Sequence, residues 1–415
     1  PIGRRDPVDG VAVLHAVQLE HDRLELPAPT AVPDSLAADQ LAAVTHATGA
    51  ARIIAPAGSG KTRVLTERAR HLLTVWRLPP PAVTLVAFNK RAQEEMRQRT
   101  SDLPGLQVRT LNSIALAILN GVPPFARQPR QWRTLDEPQV RDLLNRFVAT
   151  KRKRNTDPLA PWIDALSLAR LGLVDPDEVE ARYGGDVDGF ADVLPSYRAA
   201  LEREGSVDFD DQIVRAIELL LADPEARRVA QRACRVLLVD EFQDLTPAHL
   251  LLVRLLAAPG GAVFGVGDDD QTIYGYNGAD PAWLIDYGRW FPGAGSHPLE
   301  VNYRCPAGVV EIADRLLRHN RRRVPKTIHP APDAPASGWS IDATDDPVAG
   351  TAAAVRAAID GGATPADVAV LTRVNATIAP VQVALAVAGV PISGGVGTEF
   401  AERTAVRAAL AWLRL

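Results

Sequence analysis

Four runs along the chain, Arg52 to Ala55, Val83 to Phe88, Arg235 to Val239 and Ala262 to Val266, are almost wholly apolar. Each is short and none alternates apolar with polar positions, so each predicts a strand covered on both faces. Helical spacing follows two of them, from Lys61 to Trp76 and, in a more polar form, from Lys90 to Arg99. Buried strands alternating with helices predict an α/β fold around a parallel sheet. From about Leu119 to Val207 the texture becomes helical and arginine-rich, with proline and glycine breaks, which predicts a helical domain inserted between two halves of the sheet. Ser296 to Val301 and Asp367 to Leu371 predict strands of a second α/β unit, and the Pro/Ala-rich stretch Pro325 to Ser340 a surface loop. Residues 1–33 carry no motif and run into the proline-rich LPAPTAVPD, which reads as a linker. The expected organisation is therefore an extension over 1–33, a first α/β domain from 34–119 and 207–293, an inserted helical domain over 120–206, and a second α/β domain over 294–415.

Composition narrows the class without naming the chemistry. At 415 residues, 47% of them hydrophobic, two or three domains can each bury a core. A net charge of −4 argues against wholesale disorder and leaves open a local basic face for nucleic acid. Lysines stand only at 61, 90, 151, 153 and 326; the remaining basic charge is arginine. Two cysteines, Cys234 and Cys305, are too few for a disulfide framework or a zinc site and fit a reduced, cytoplasmic compartment. The absence of a signal peptide and of an apolar run near ~20 residues predicts a soluble protein. The start at Pro1, with Met96 as the single methionine, is expected of a processed chain or of a piece of a longer one.

The stretch Ala55-Pro56-Ala57-Gly58-Ser59-Gly60-Lys61-Thr62 follows an apolar run and opens a helix, which is the context of a phosphate-binding loop. Its glycines let successive N–H groups turn inward, and the helix N-terminus adds partial positive charge. Lys61 is then placed to neutralise the β- and γ-phosphates of ATP, and the Thr62 hydroxyl to hold Mg²⁺. Asp240 and Glu241 end a second apolar run, at the edge where ligands bind in parallel sheets. Asp240 would hold Mg²⁺ and Glu241 would orient and deprotonate the attacking water. Gln271 closes Gly267-Asp268-Asp269-Asp270-Gln271, where a neutral amide can sense the γ-phosphate. The three aspartates also fit a solvated turn, and Tyr274 and Tyr276 offer aromatic faces for bases.

In order along the chain, these residues resemble the motifs of superfamily 1 helicases of the UvrD/Rep/PcrA type, from about Ser35 to Leu415. Leu36-Ala37-Ala38-Asp39-Gln40 looks like the family's Q motif, which implies a contact of Gln40 with adenine. Arg63 completes the phosphate-loop motif. Ala87-Phe88-Asn89-Lys90 resembles the motif that contacts single-stranded DNA. Thr110-Leu111-Asn112-Ser113 resembles a second DNA-contacting segment, with Leu111 and Asn112 in place of Phe and His. Val207 to Asp211 looks like the return from the inserted domain, and Asp240-Glu241-Phe242-Gln243-Asp244 matches the DExQD signature. Gly267 to Ala279 resembles the third motif, with Tyr276 where the family stacks a Trp and Asn277 where it has an Arg. Asn302-Tyr303-Arg304 matches the fourth, which implies that Tyr303 stacks on adenine and that Arg304 reaches the γ-phosphate.

The resemblance implies a RecA-like P-loop NTPase motor domain with a helical insertion, followed by part of a second RecA-like domain. It implies ATP and Mg²⁺ as cofactors, single-stranded or partly duplex DNA as partner, no membrane, and 3′–5′ movement driven by ATP. Val396 to Leu415 resembles the segment before a large insertion in the second motor domain. The family's later DNA-coupling motif and second arginine finger are not in the sequence, so the expectation is an incomplete portion of a helicase that binds nucleotide with little unwinding. A nucleotide-dependent DNA-binding module is the alternative. Lys151 to Arg154, and Arg321 to Arg323 with Lys326, are candidate phosphate contacts, while Trp132, Trp162 and Trp290 are expected in cores.

Overall fold

The computed structural model describes residues 36–125, 131–148, 157–258, 260–273, 275, 278–336 and 339–393. Lys151 to Arg154, Tyr274, Tyr276, Asn277, the linker 1–33 and the segment Val396 to Leu415 lie outside them. The chain divides into two compact units between Gly338 and Trp339.

Ten strands are found among the described residues of the first unit: β1 Ala51–Ile54, β2 Val83–Ala87, β3 Gln107–Thr110, β4 Arg133–Thr134, β5 Ser206–Val207, β6 Val236–Val239, β7 Ala262–Gly267, β8 Gly295–Pro298, β9 Val301–Asn302 and β10 His329–Pro330. Six form one sheet in the order β3-β2-β6-β7-β1-β8, with every pairing parallel. The four expected apolar runs are its four inner strands. Alternate residues serve opposite faces. Ile54, Val86, Leu237, Val239 and Val263 pack with Ile114, Ile213 and Leu252 of the helices Leu111–Leu119, Phe209–Ala222 and Pro247–Leu256. Ile53, Leu85, Val236, Leu238 and Phe264 pack with Val64, Leu65 and Met96 of the helices Lys61–Thr74 and Lys90–Arg99 on the other face. With both faces covered there is no polar position to alternate with, which is why the runs read as continuous.

Two expectations about strands need correction. Gly295–Pro298, expected in a second α/β unit, pairs with β1 from Ala51↔Gly295 to Ile54↔Pro298 and is the edge of the first sheet. Residues 367–371 form no strand: Pro365–Asp367 is a single 3₁₀ turn and Leu371 is 93% exposed. A strand needs a neighbour to take up its backbone groups, and no described segment pairs there.

The stretch 133–207 carries its own core, in which Leu144, Trp162, Val179, Phe190 and Tyr197 are buried together. Its ends are closed by β4 on β5. Arg170, buried, donates to Asp208 at 2.7 and 2.9 Å, and the Tyr197 hydroxyl donates to the same carboxylate at 2.7 Å. Asp208 in turn accepts from Asp211 N, starting the helix Phe209–Ala222 that returns the chain to the sheet. Trp162 and Trp290 are core residues as expected, and Trp132 is half-buried under the Arg215 guanidinium.

Pro325 to Ser340 is more than a surface loop. His329–Pro330 pairs with Val301–Asn302, Ala331 is buried, and the Lys326 side chain is fully enclosed. In the second unit the helices Pro347–Asp360 and Ile378–Val387 bury Val355, Val381, Leu385 and Val390 between them. No helix among the described residues is long and apolar enough to cross a membrane.

Candidate nucleotide site

Every predicted nucleotide residue within the described chain, apart from Gln40, follows the C-terminal end of a strand, in the six-stranded sheet for all but Tyr303 and Arg304, which follow β9 of the separate β9–β10 pair. The loop Ala55 to Gly60 follows β1, Asp240 and Glu241 follow β6, Gln271 follows β7, and Tyr303 and Arg304 follow β9. Gln40 comes from the short helix Ala38–Val44 and reaches the loop from the side.

The loop is built as a phosphate cradle. Gly60 starts the helix at φ 90° and Gly58 stands at φ 75°, a left-handed backbone that other residues resist. Ser59, buried, donates its N–H and its hydroxyl to Pro56 O at 3.1 and 2.7 Å, tightening the turn. Gln40 is spent on the same turn, its Nε2 donating to Ser59 O at 2.9 Å. Thr62 and Arg63 lie in the first turn of the helix that begins at Lys61.

Lys61 Nζ donates to Glu241 Oε2 at 2.9 Å, joining the loop to the acidic pair. Glu241 adopts φ 46°, rare for a residue with a side chain and costing on the order of 1 kcal/mol. This left-handed turn ends β6 and sends the Glu241 side chain across to Lys61. Asp240 is held in sheet register by its N–H to Val86 O at 2.9 Å. Its Oδ1 is buried without a partner, and burial, together with the Glu241 charge, pushes its carboxyl up to about 7. Asp244 is likewise raised, to about 6, by burial and Glu241. An orphaned carboxylate beside a phosphate cradle and a helix-start threonine is a donor set of the kind that holds a hard divalent cation such as Mg²⁺.

Four further residues organise the site; sequence reasoning gave three of them no role and read the fourth, Lys326, as a candidate nucleic-acid phosphate contact. Gln243 donates to Glu241 Oε2 at 3.0 Å and to Asp244 Oδ2 at 3.1 Å, and its Oε1 accepts from Asp268 N at 3.0 Å. Asp268 Oδ2 accepts from Gln271 Nε2 at 2.6 Å, fixing which end of that amide is the donor. Asn302 Nδ2 donates to Ala57 O at 2.8 Å, while its Oδ1 accepts from Arg304 N and Cys305 N at 2.9 and 2.8 Å. Tyr303 N adds a bond to Gly58 O at 2.9 Å. Arg304 is thus seated over the loop; a Cβ on Gly58 would lie 2.6 Å from Asn302 Oδ1 and 2.9 Å from Arg304 Cβ. The Asn302 turn has a signal in the sequence, since Asn side chains readily accept from the backbone two residues on, as in an Asx turn. Lys326 is the fourth: it contacts Asp268, Asp269 and Asp270 at 2.6 to 2.9 Å.

The described DNA candidates, Phe88, Asn89 and Asn112, follow β2 and β3 at the other end of the same sheet edge. Phe88, half-buried, and Asn89 follow β2; Asn89 Oδ1 accepts from Ala92 N and caps the helix Lys90–Arg99. Asn112 follows β3, and its amide donates to Phe209 O at 2.6 Å and Gln212 Oε1 at 3.3 Å. The three aspartates are not a solvated turn, because the Asp268, Asp269 and Asp270 side chains are buried against Lys326. Lys326 and Arg323 are correspondingly not open to phosphate: Arg323 pairs with Asp270 at 2.7 Å.

A parallel sheet with a glycine-rich cradle after β1, acidic residues after β6 and a polar loop after β7 defines a P-loop nucleotide-binding domain. The family model for the UvrD/REP helicase N-terminal domain matches residues 36–292, and the chain belongs to that family, with its RecA-like α/β core. It is 32% identical over 403 residues to DNA helicase II of Escherichia coli, an alignment covering 92% of this chain and 54% of that protein. It is 30% identical over 391 residues to the ATP-dependent DNA helicase PcrA of Bacillus subtilis, covering 91% and 52%. The chain therefore spans about half the length of these curated relatives.

Proposed function

We propose that this chain is the N-terminal portion of a cytoplasmic, ATP-hydrolysing DNA helicase that moves 3′ to 5′ on single-stranded DNA, with a first RecA-like domain whose sheet includes Gly295–Pro298, an inserted helical domain, and part of a second RecA-like domain after it. The Lys61–Glu241 pair carries the reading. Lys61 is paired with Glu241. The triphosphate would take Lys61 for its β- and γ-oxygens and so release Glu241 as the base that orients water, while Gln243 keeps hold of the same carboxylate. Asp240 and Thr62 would hold Mg²⁺, which when bound offsets the negative charge that develops on the phosphates. The loop from Ala55 through Arg63 cradles the phosphates, Gln271 offers its amide to the γ-phosphate, and Arg304 approaches from over the loop as an arginine finger. Tyr303, half-exposed beside the loop, offers its ring to adenine, and Gln40, which bonds the same loop, is the other proposed adenine contact. Phe88, Asn89, Asn112, Tyr274 and Tyr276 are the proposed DNA contacts.

Movement requires that nucleotide bind one arrangement of the site more tightly than another. The seating of Asn302 and Arg304 on the loop is the contact such a cycle would make and break. The test is steady-state ATP hydrolysis by the complete protein with and without single-stranded DNA, beside unwinding of duplexes carrying a 3′ or a 5′ tail. DNA-stimulated hydrolysis, lost in Lys61→Ala and Glu241→Gln, with unwinding from the 3′ tail, is the expected result. Nucleotide-dependent DNA affinity with negligible turnover would favour a binding module instead.

A further inference from the structure

The segment after the helix Ala307–Leu317 folds back onto the β7 loop through a set of buried charges. Lys326 Nζ lies 2.7 Å from Asp268 Oδ1, 2.6 Å from Asp269 Oδ1 and 2.9 Å from Asp270 Oδ2, and its side chain is 0% exposed. Arg323 and Asn320 add bonds to Asp270 at 2.7 and 3.0 Å, and Val324 N donates to Asp269 Oδ2 at 2.7 Å. Three converging carboxylates call for a cation, and the ammonium of Lys326 fills that place. Burial alone would lower the pKa of that ammonium, but Asp268 and Asp269 more than offset it and raise it above the usual lysine value.

The cage does not end at the aspartates. Asp268 spends its other carboxylate oxygen on Gln271 Nε2 at 2.6 Å and its N–H on Gln243 Oε1 at 3.0 Å. Gln243 holds Glu241, which holds Lys61. An unbroken line of polar contacts therefore runs from Lys326 to the phosphate cradle. The same stretch of chain, from β9 through Lys326 to β10, also carries Asn302 and Arg304 on the loop itself. One module thus meets the site at two points.

We propose that Lys326 is a positioning residue for nucleotide hydrolysis: by fixing Asp268 it holds Gln271 and Gln243 in the placement the γ-phosphate and the attacking water require. This rests on the hydrolytic function proposed above. A group so placed acts on the transition state more than on ground-state nucleotide binding, so its loss lowers kcat and leaves KM for ATP nearly unchanged.

The test compares wild type, Lys61→Ala, Lys326→Met and Lys326→Met/Asp270→Asn in the complete protein. It measures kcat and KM for ATP with single-stranded DNA, binding of a fluorescent ADP analogue to count competent sites, and melting temperature. Asp270 is chosen for the double variant because its side chain contacts neither Gln271 nor Gln243, so its neutralisation restores charge balance without restoring the hold on Asp268. Lys326→Met is expected to lower kcat per competent site on the order of 10–100-fold, with KM within about threefold. The double variant is expected to regain melting temperature and not kcat. Recovery of both would reduce Lys326 to charge balance and overturn the proposal, as would a Lys326→Met kcat that falls only with the fraction of competent sites. Should Lys326→Met fail to fold, the double variant decides by the same criterion. Wild type that hydrolyses ATP, with Lys61→Ala inactive and kcat intact in Lys326→Met, sinks this inference alone; wild type without hydrolysis sinks the function beneath it as well.

Discussion

The sheet of the first unit and the segment 339–393 are built from similar apolar sequence and fold to opposite ends of burial. Val236 to Val239 is at most 1% exposed at every position. Val370 and Leu371, an equally apolar pair, are 37% and 93% exposed. The helix Ile378–Val387 is apolar nearly all round, a composition suited to a fully covered helix, yet Val383 and Val387 are 63% and 84% exposed. The difference lies in neighbours. Strand β6 is bonded by β2 on one side and β7 on the other, and helices cover both its faces. Among the described residues nothing plays that part for 368–371. Apolar sequence supplies the tendency to be buried, while strand identity comes from the partners that take up the backbone.

The largest effect is expected in amide hydrogen exchange, measured on the whole protein. Amides of Val236 to Val239 should open only with global unfolding, and those of Ala369 to Leu371 should exchange with almost no protection, a contrast spanning the full stability of the domain. Protection at 369–371 would break the comparison, since it would mean that another part of the protein pairs there and completes a second sheet.

Side-chain truncation sharpens the same contrast at a smaller scale. Leu238 is fully buried in the core that also holds Leu65 and Phe264 on its face of the sheet, and Leu238→Ala should cost about 2–5 kcal/mol. Leu371→Ala should stay within about 0.5 kcal/mol, because the side chain has nothing to leave behind. Urea unfolding followed by circular dichroism reads both. A loss above about 1 kcal/mol for Leu371→Ala would place that residue in a core contributed from elsewhere.

How much was legible in the sequence follows from the same physics. The inner strands announced themselves because burial on two faces removes polar positions. Of the outer strands, β3, Gln-Val-Arg-Thr with only Val108 buried, gave no signal, and β8, with Gly, His and Pro, was read as a strand but of a different sheet. An edge strand is half solvated, so its sequence does not show which sheet it joins. In the site, the residues that would meet phosphate were readable because their chemistry is demanding and their spacing local. Gln243, Asp268, Asn302 and Lys326 work by touching other protein groups, often far along the chain, and only the fold brings those partners together. The triple aspartate shows this best. Read alone it suits a solvated turn; its partner, Lys326, sits more than fifty positions away in a stretch that reads as a loop.

The smallest effect concerns pH, and it too belongs to one region, since 339–393 contains no histidine. His71, His249 and His297 are each lowered to about 4, in all three cases chiefly by burial, with Arg68 adding to the shift at His71 and at His297. The folded form keeps them neutral down to about pH 4, whereas the unfolded chain takes up protons below about 6.5. Their contribution is therefore complete above pH 6.5 and is lost as pH falls toward 4, each histidine adding at most about 1.4 kcal/mol per pH unit in that window. His71 is the informative one, because both ring nitrogens are buried without a partner, next to Trp76 and the Arg68 guanidinium. His71→Leu should raise stability at neutral pH by removing those unsatisfied groups and should flatten the acid slope by about one proton. Urea midpoints at pH 7 and pH 5 measure both. An unchanged slope would mean that His71 is protonated in the folded state, with its charge balanced by a group outside the described residues.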